Sequence, residues 1–194
     1  MRALGVAVLL GLSAAGAGAQ MSAGFTFLKA VEERDGGKAT ELLQTQGSTV
    51  VNFRDDKGNG ALHILAGGRD RQWMGFMLGK QADPNLQNRA GDTPLLVASR
   101  IGYLEGVDLL LRSGGKVDLA NRLGETPLIV AVQQRQLPVV KRLLEAGANP
   151  DRPDNASGRT ARDYAKLDRR STELVRLIET ASAKAKPQVA GPKL

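Results

Sequence analysis

One spacing governs what this chain can fold into: the glycines at 58, 91 and 124 stand 33 residues apart, and each opens the same short phrase. The phrases read Gly58-Asn59-Gly60-Ala61-Leu62-His63-Ile64-Leu65-Ala66, then Gly91-Asp92-Thr93-Pro94-Leu95-Leu96-Val97-Ala98, then Gly124-Glu125-Thr126-Pro127-Leu128-Ile129-Val130-Ala131. A fourth, Gly158-Arg159-Thr160-Ala161-Arg162-Asp163-Tyr164-Ala165, follows after 34 residues. A second apolar run comes after each of the first three: Phe76-Met77-Leu78, Leu109-Leu110-Leu111 and Leu143-Leu144. Each unit then closes on a turn in the same register, Ala82-Asp83-Pro84-Asn85, Gly115-Lys116-Val117-Asp118 or Ala148-Asn149-Pro150-Asp151. Self-similarity at such a period marks a stacked array, and it takes precedence over any local reading.

The phrase has a physical logic. Thr93, Thr126 and Thr160 suit the N-cap of a helix, where the hydroxyl accepts a backbone N–H that would otherwise lack a partner. Pro94 and Pro127 fall at the first helical position, where the missing N–H costs nothing. The leading glycines sit in the preceding turn, where φ above zero is easily reached. Leu95 with Ala98, and Leu128 with Ala131, share one helix face, and the small alanine lets a neighbouring helix approach closely. Each unit is then two short antiparallel helices and a projecting turn. One unit cannot bury its apolar face alone, so stacking is compulsory.

Together these residues resemble ankyrin repeats, whose pattern is G-x-T-P-L-H-x-A, a leucine pair and G-A-D-x-N on a 33-residue period. Gly91 to Ala98 and Gly124 to Ala131 match except at the His position, held by Leu96 and Ile129. The resemblance implies an all-α ankyrin-repeat solenoid of helix-turn-helix units, about three full repeats between N- and C-terminal caps. On that register the array spans 25–180: an N-cap repeat at 25–54, repeats at 55–87, 88–120 and 121–154, and a C-cap repeat at 155–180. Phe25 to Val31 and Ala39 to Leu43 read as the helix pair of the N-cap, with Asn52 one period before Asn85. The segment from Leu43 to Asn52 is two residues longer than that from Leu78 to Asn85. Arg162, Lys166, Asp168, Arg169 and Arg170 supply the polar outer face a terminal repeat needs. Residues 181–194, rich in Ala, Lys and Pro, read as a disordered basic tail.

The departures are concentrated in the 58–88 unit. Gly60-Ala61 replaces Thr-Pro, which removes the hydroxyl cap, and Gly67, Gly68, Gly75 and Gly79 lie in or beside helices. Arg69, Arg135 and Arg169 stand where the family usually has a loop glycine, which Gly102 alone keeps, and they read as mild strain.

Composition agrees with close-packed helices, since only one Trp, two Tyr and four Phe occur in 194 residues. The formal charge of +7 permits a nucleic acid, an anionic surface or an acidic protein as partner. Without cysteine there is no disulfide framework and no thiolate metal cluster. Met1-Arg2, the apolar stretch Ala3 to Leu12 and the small residues Ser13 to Ala19 form the three parts of a secretory signal peptide over 1–19. Cleavage between Ala19 and Gln20 would leave a short linker, 20–24, before the array. The run is shorter and richer in glycine than a membrane span, so membrane contact is expected only in transit through the signal peptide.

No catalytic, cofactor-binding or metal site is expected. His63 is the single histidine and occupies the motif position that the family uses for hydrogen bonds between repeats. Asp55-Asp56 lie in a repeat turn as solvated carboxylates, and Gly36-Gly37-Lys38 is a helix-pair turn without the strand of a phosphate loop. The partner expected is a protein bound by a monomeric array, with no small-molecule substrate. Nucleic acid is disfavoured by the signal pattern and the few aromatics. In ankyrin proteins partners contact the projecting turns and the first-helix face beside them. The matching residues here are Asp56, Lys57, Asn59, Arg89, Asp92, Arg100, Arg122, Leu123, Glu125, Gln133, Gln134, Arg159 and Lys166. Arg89 and Arg122 should stack as a basic ladder beside an acidic one of Asp92 and Glu125, which either neutralises it or shares in binding. The reading is an exported protein-binding module, a scaffold, inhibitor or accessory factor, with a secreted effector acting on a foreign cell as the alternative.

Overall fold

The computed structural model describes residues 15–46, 48–168 and 172–185, with the backbone alone at 15–22, 48 and 182–185. Helices α1 (Ala15–Glu33), α2 (Gly36–Gln46) and α3 (Ser48–Val51) form the first unit. The pairs α4 (Ala61–Gly67) with α5 (Arg71–Gly79), α6 (Pro94–Arg100) with α7 (Leu104–Arg112), and α8 (Pro127–Gln133) with α9 (Leu137–Glu145) form the three inner units. The last unit is α10 (Ala161–Leu167) with α11 (Thr172–Ala185), and no strand occurs among the described residues. The two residues by which the Leu43–Asn52 segment exceeds its counterpart accommodate α3, whose Val50 and Val51 are buried.

Two layers run the length of the array. The inner helices α4, α6, α8 and α10 stack in order, α1 lies against α4, and α5, α7, α9 and α11 make the outer layer. Leu95, Ala98, Leu128 and Ala131, expected on the stacking face, are all buried, as is Leu143 of the second apolar run. Thr93, Thr126 and Thr160 each accept the N–H three residues on, at 3.1, 3.2 and 3.1 Å. α4 has no hydroxyl cap, as its sequence implies. The His63 ring substitutes in part: its Nδ1 accepts the Gly60 N–H at 3.2 Å. That bond leaves Nε2 protonated, and Nε2–H donates to the Asp92 carbonyl of the next unit at 2.8 Å.

A polar side chain at one turn position completes the backbone of the following unit. Asn52 accepts the Asp83 N–H at 2.8 Å, Asn85 the Lys116 N–H at 2.7 Å, and Asp118 the Asn149 N–H at 3.0 Å. Asp151, the next position in this register, instead accepts Arg162 of the terminal helix pair at 2.7 Å.

The loop arginines correct the reading of mere strain. Arg34, Arg69 and Arg135 take φ of 60°, 55° and 54°, beside 68° at Gly102. This left-handed backbone costs a non-glycine residue about 1–2 kcal/mol. The same geometry throws the side chain forward onto the next unit. Arg34 Nε binds Asp70 at 2.7 Å, Arg69 Nη2 reaches the Ile101 carbonyl, and Arg135 grips Asp168 through two bonds of 2.6 and 2.8 Å. Arg169 lies outside the described residues, as do residues 1–14 of the signal pattern and 186–194 of the tail. The Ala19–Gln20 junction falls within the backbone of α1, and α11 continues to Ala185, past the boundary at 180 expected from composition.

Two consequences are measurable. A Cβ added at Gly75 in the middle of α5 meets open space. Gly75→Ala should therefore stabilise the protein by about 0.5–1 kcal/mol, by removing unfolded-state freedom. An unchanged or lower chemical-denaturation midpoint would show that α5 needs its glycine. For His63, burial lowers the ring pKa from its ordinary value of 6.5, outweighing the hydrogen bond to the Asp92 carbonyl. A histidine with a depressed folded pKa stabilises the fold above the unfolded value and loses that contribution on acidification. Stability should fall as pH drops below about 6.5, and His63→Leu, matching Leu96 one unit on, should flatten this part of the profile. An identical pH slope in both proteins would assign the effect to other groups.

Candidate functional site

The projecting turns are built alike. Asp55 accepts the N–H groups of Lys57 and Asn59 at 2.8 and 2.7 Å; Asn88 accepts those of Ala90 and Asp92, and Asn121 those of Leu123 and Glu125, all at 3.0 Å. Main-chain bonds from Asp55 to Asn59, Asn88 to Asp92 and Asn121 to Glu125 close each turn into a finger. Asp55 is thus the nucleus of a turn and not the solvated carboxylate its sequence suggests. At the finger tips Gly58, Gly91 and Gly124 have φ of 79°, 83° and 76°. Glycine is needed there twice over, because a Cβ at these sites would stand 2.5–2.7 Å from the backbone nitrogen of the following finger.

That close approach locks the fingers together. Arg89 N–H donates to the Lys57 carbonyl at 2.9 Å, Arg122 to Ala90 at 3.0 Å and Asn155 to Leu123 at 2.8 Å. Side-chain amides repeat the linkage: Asn88 donates to Asn59 and Asn121 to Asp92, each at 2.9 Å. The finger row is therefore pre-formed, and a partner meeting it orders little backbone on binding.

The residues expected to bind divide into two groups. Asp56, Lys57, Arg89, Arg122, Leu123, Gln133, Gln134, Arg159 and Lys166 are exposed. Asn59, Asp92, Arg100 and Glu125 are drawn into internal bonding. Asp92 is buried, held by Arg100 through two bonds of 2.7 and 3.2 Å and by Asn121. Burial pushes its carboxyl pKa up, but the hydrogen bonds from Arg100 and Asn121 outweigh this and hold it below the ordinary range. Glu125 is half-buried and accepts from Asn121 at 2.9 Å. The acidic ladder expected beside the basic one thus faces largely inward, since the buried amides that link the fingers need acceptors.

Arg100 and Tyr164 show which side of the inner helices faces the fingers. Arg100 reaches Asp92 at a finger base, and the Tyr164 hydroxyl donates to Asp154 at 2.6 Å. Ile64, Val97 and Tyr164, at one position of α4, α6 and α10, are partly exposed there, whereas Val130 at the same position of α8 is buried. Tyr164 and Ser157 close the end of the row: burial raises the Asp154 pKa, yet their hydrogen bonds bring it to about 2.

A feature not anticipated is a cleft of about 430 Å³ on the finger side, with Arg54 and Arg122 in its lining and Gln87 and Ala120 between them in register. The signal was available, since 54, 87 and 120 are one period apart. Among the described residues no group of three or more His, Asp or Glu side chains is placed to hold a metal, and no described helix is long and apolar enough to cross a membrane.

Residues 27–154 match the family profile for ankyrin repeats in three copies, which covers more than half of the chain. A stretch of 59 residues is 36% identical to the ankyrin repeat protein L271 of Acanthamoeba polyphaga mimivirus, covering 30% of this chain and 8% of that protein. The chain thus spans less than a tenth of that relative's length. With helix pairs, fingers and profile in agreement, the chain belongs to the ankyrin-repeat family.

Proposed function

We propose that this protein is an exported, non-catalytic binding module that holds a partner protein on the surface formed by the fingers and the inner helices. It would serve there as scaffold, inhibitor or accessory factor for another periplasmic or secreted protein. Ankyrin arrays are generally protein-binding modules and typically non-catalytic. The observation that carries the reading is the pre-formed finger row. Its main chains are bonded from unit to unit, while Lys57, Arg89, Arg122, Leu123 and Arg159 project from it exposed. Rigid backbone with free side chains suits specific recognition at low entropic cost. Ile64, Val97 and Tyr164 add a partly exposed apolar floor.

Export rests on the pattern at 1–19. N-terminal sequencing of protein recovered from the cell envelope or medium is expected to start at Gln20. Soluble protein retaining Met1 or Arg2 would remove export from the proposal.

The binding face is tested against the basic tail, because both carry positive charge. With a partner identified by crosslinking and then purified, Arg89→Glu together with Arg122→Glu should abolish most of the affinity. Exposed substitutions of this kind alter stability by less than about 0.5 kcal/mol, so the array remains folded. Deleting Lys184 to Leu194 should leave binding nearly unchanged. Capture that survives the double reversal and disappears with the tail would overturn binding on the finger and inner-helix surface.

A further inference from the structure

We infer that the finger side of the array takes an acidic, extended polypeptide segment, one of whose carboxylates enters the cleft between Arg54 and Arg122. The inference rests on the protein-binding reading above and names the chemistry of the partner.

The distribution of the guanidinium groups is uneven. Arg34, Arg100, Arg135, Arg142, Arg162 and Arg176 form ion pairs, and Arg69 and Arg152 donate to main-chain carbonyls. Among the described residues this leaves Arg71 and Arg112 on the outer helices, and Arg54, Arg89, Arg122 and Arg159 along the fingers. The finger carboxylates offset only part of that charge. Asp55, Asp92 and Asp154 accept hydrogen bonds from their own or a neighbouring turn, and Asp83 accepts the Asn85 N–H at 2.8 Å. The inward turn of the acids is a by-product of finger construction. It leaves Asp56 and Asp83 as the exposed carboxylates set against Arg54, Lys57, Arg89, Arg122 and Arg159.

The cleft concentrates this excess. Its floor stays open because the Arg54 position becomes Ala120 two units on, while the Gln87 amide between them is occupied by the Gly91 and Ala120 carbonyls at 2.8 and 3.0 Å. What the lining offers a ligand is two guanidinium forks against one carboxylate, Asp83, which accepts the Asn85 N–H. A carboxylate meets both charge and geometry, since such pairs bond through two parallel N–H donors. Arg89 lies one period before Arg122 on the bonded finger row, so further acidic side chains of an extended segment can follow the fingers. Leu123, 55% exposed beside Arg122, offers that segment an apolar contact. A nucleic-acid strand would want aromatic faces for its bases. The exposed large aromatic among the described residues is Phe25, at the far N-terminal end and edge-packed on Phe53 at 5.1 Å.

Fluorescence anisotropy of the full chain with a labelled peptide alternating glutamate and glycine tests the inference. Two variant pairs remove equal charge: Arg54→Gln with Arg122→Gln in the cleft, and Arg71→Gln with Arg112→Gln on the outer helices. The wild type should bind the peptide, the cleft pair should weaken binding about tenfold, and the outer pair should change it less than about twofold. Melting curves confirm that both pairs fold. Equal weakening by both pairs would reduce the effect to net charge and overturn the inference, as would failure of the wild type to bind. An oligothymidine strand that binds more tightly than the peptide and is lost with the same cleft pair would also overturn it. A crosslinked protein partner still captured through Arg89 and Arg122 in those cases would leave the broader binding function standing.

Discussion

Everything in this protein depends on each repeat completing the hydrogen bonds of its neighbour. A single helix pair leaves an apolar face and a set of backbone groups without partners, and only the adjacent unit supplies both. Here the supply is explicit. Asn52, Asn85 and Asp118 accept backbone N–H groups one unit on, His63 donates to the Asp92 carbonyl, and each fingertip hands a main-chain bond to the next. The apolar stack of α4, α6, α8 and α10 supplies burial, while these polar links hold the register, because a slip along the stack would leave buried donors unpaired.

The same dependence shapes the bonding of the last described unit. In the last described unit the side chains at the linking positions bond within their own neighbourhood. Asp151 takes Arg162, and Asp154 takes Tyr164 and Ser157, where Asn88 and Asn121 link one finger to another. The Asp154 carboxylate has no N–H to donate back to the preceding finger as the Asn88 and Asn121 amides do, and accepts the Tyr164 and Ser157 hydroxyls instead. The left-handed arginines follow a related logic. A backbone conformation that glycine would adopt freely is held by residues whose side chains staple the following unit.

Binding surface and scaffold are therefore not separable by residue type. Asp92, Arg100 and Glu125 lie among residues that face partners in this family, yet here they hold fingers and inner helices together. Once those groups are engaged, the exposed charge on the finger side is predominantly positive. A partner would meet guanidinium groups on a rigid bonded row, with a shallow apolar floor behind it.

The period of 33, the threonine caps, the helix-pair organisation and the core positions Leu95, Ala98, Leu128 and Ala131 were all legible in the sequence. They express local backbone preferences and a strict spatial repeat, and both survive in one dimension. The inter-repeat role of His63 was legible through the family resemblance. What the sequence could not divide was the charged turns: Asp92 and Arg89 are three residues apart, and either could have faced solvent. Only tertiary structure turned Asp92 inward to meet Arg100 and Asn121, left Arg89 outside, converted Arg34, Arg69 and Arg135 into staples, and opened a cleft between Arg54 and Arg122. The physical reason is that a charge's role depends on which groups from neighbouring units reach it, and stacking decides that.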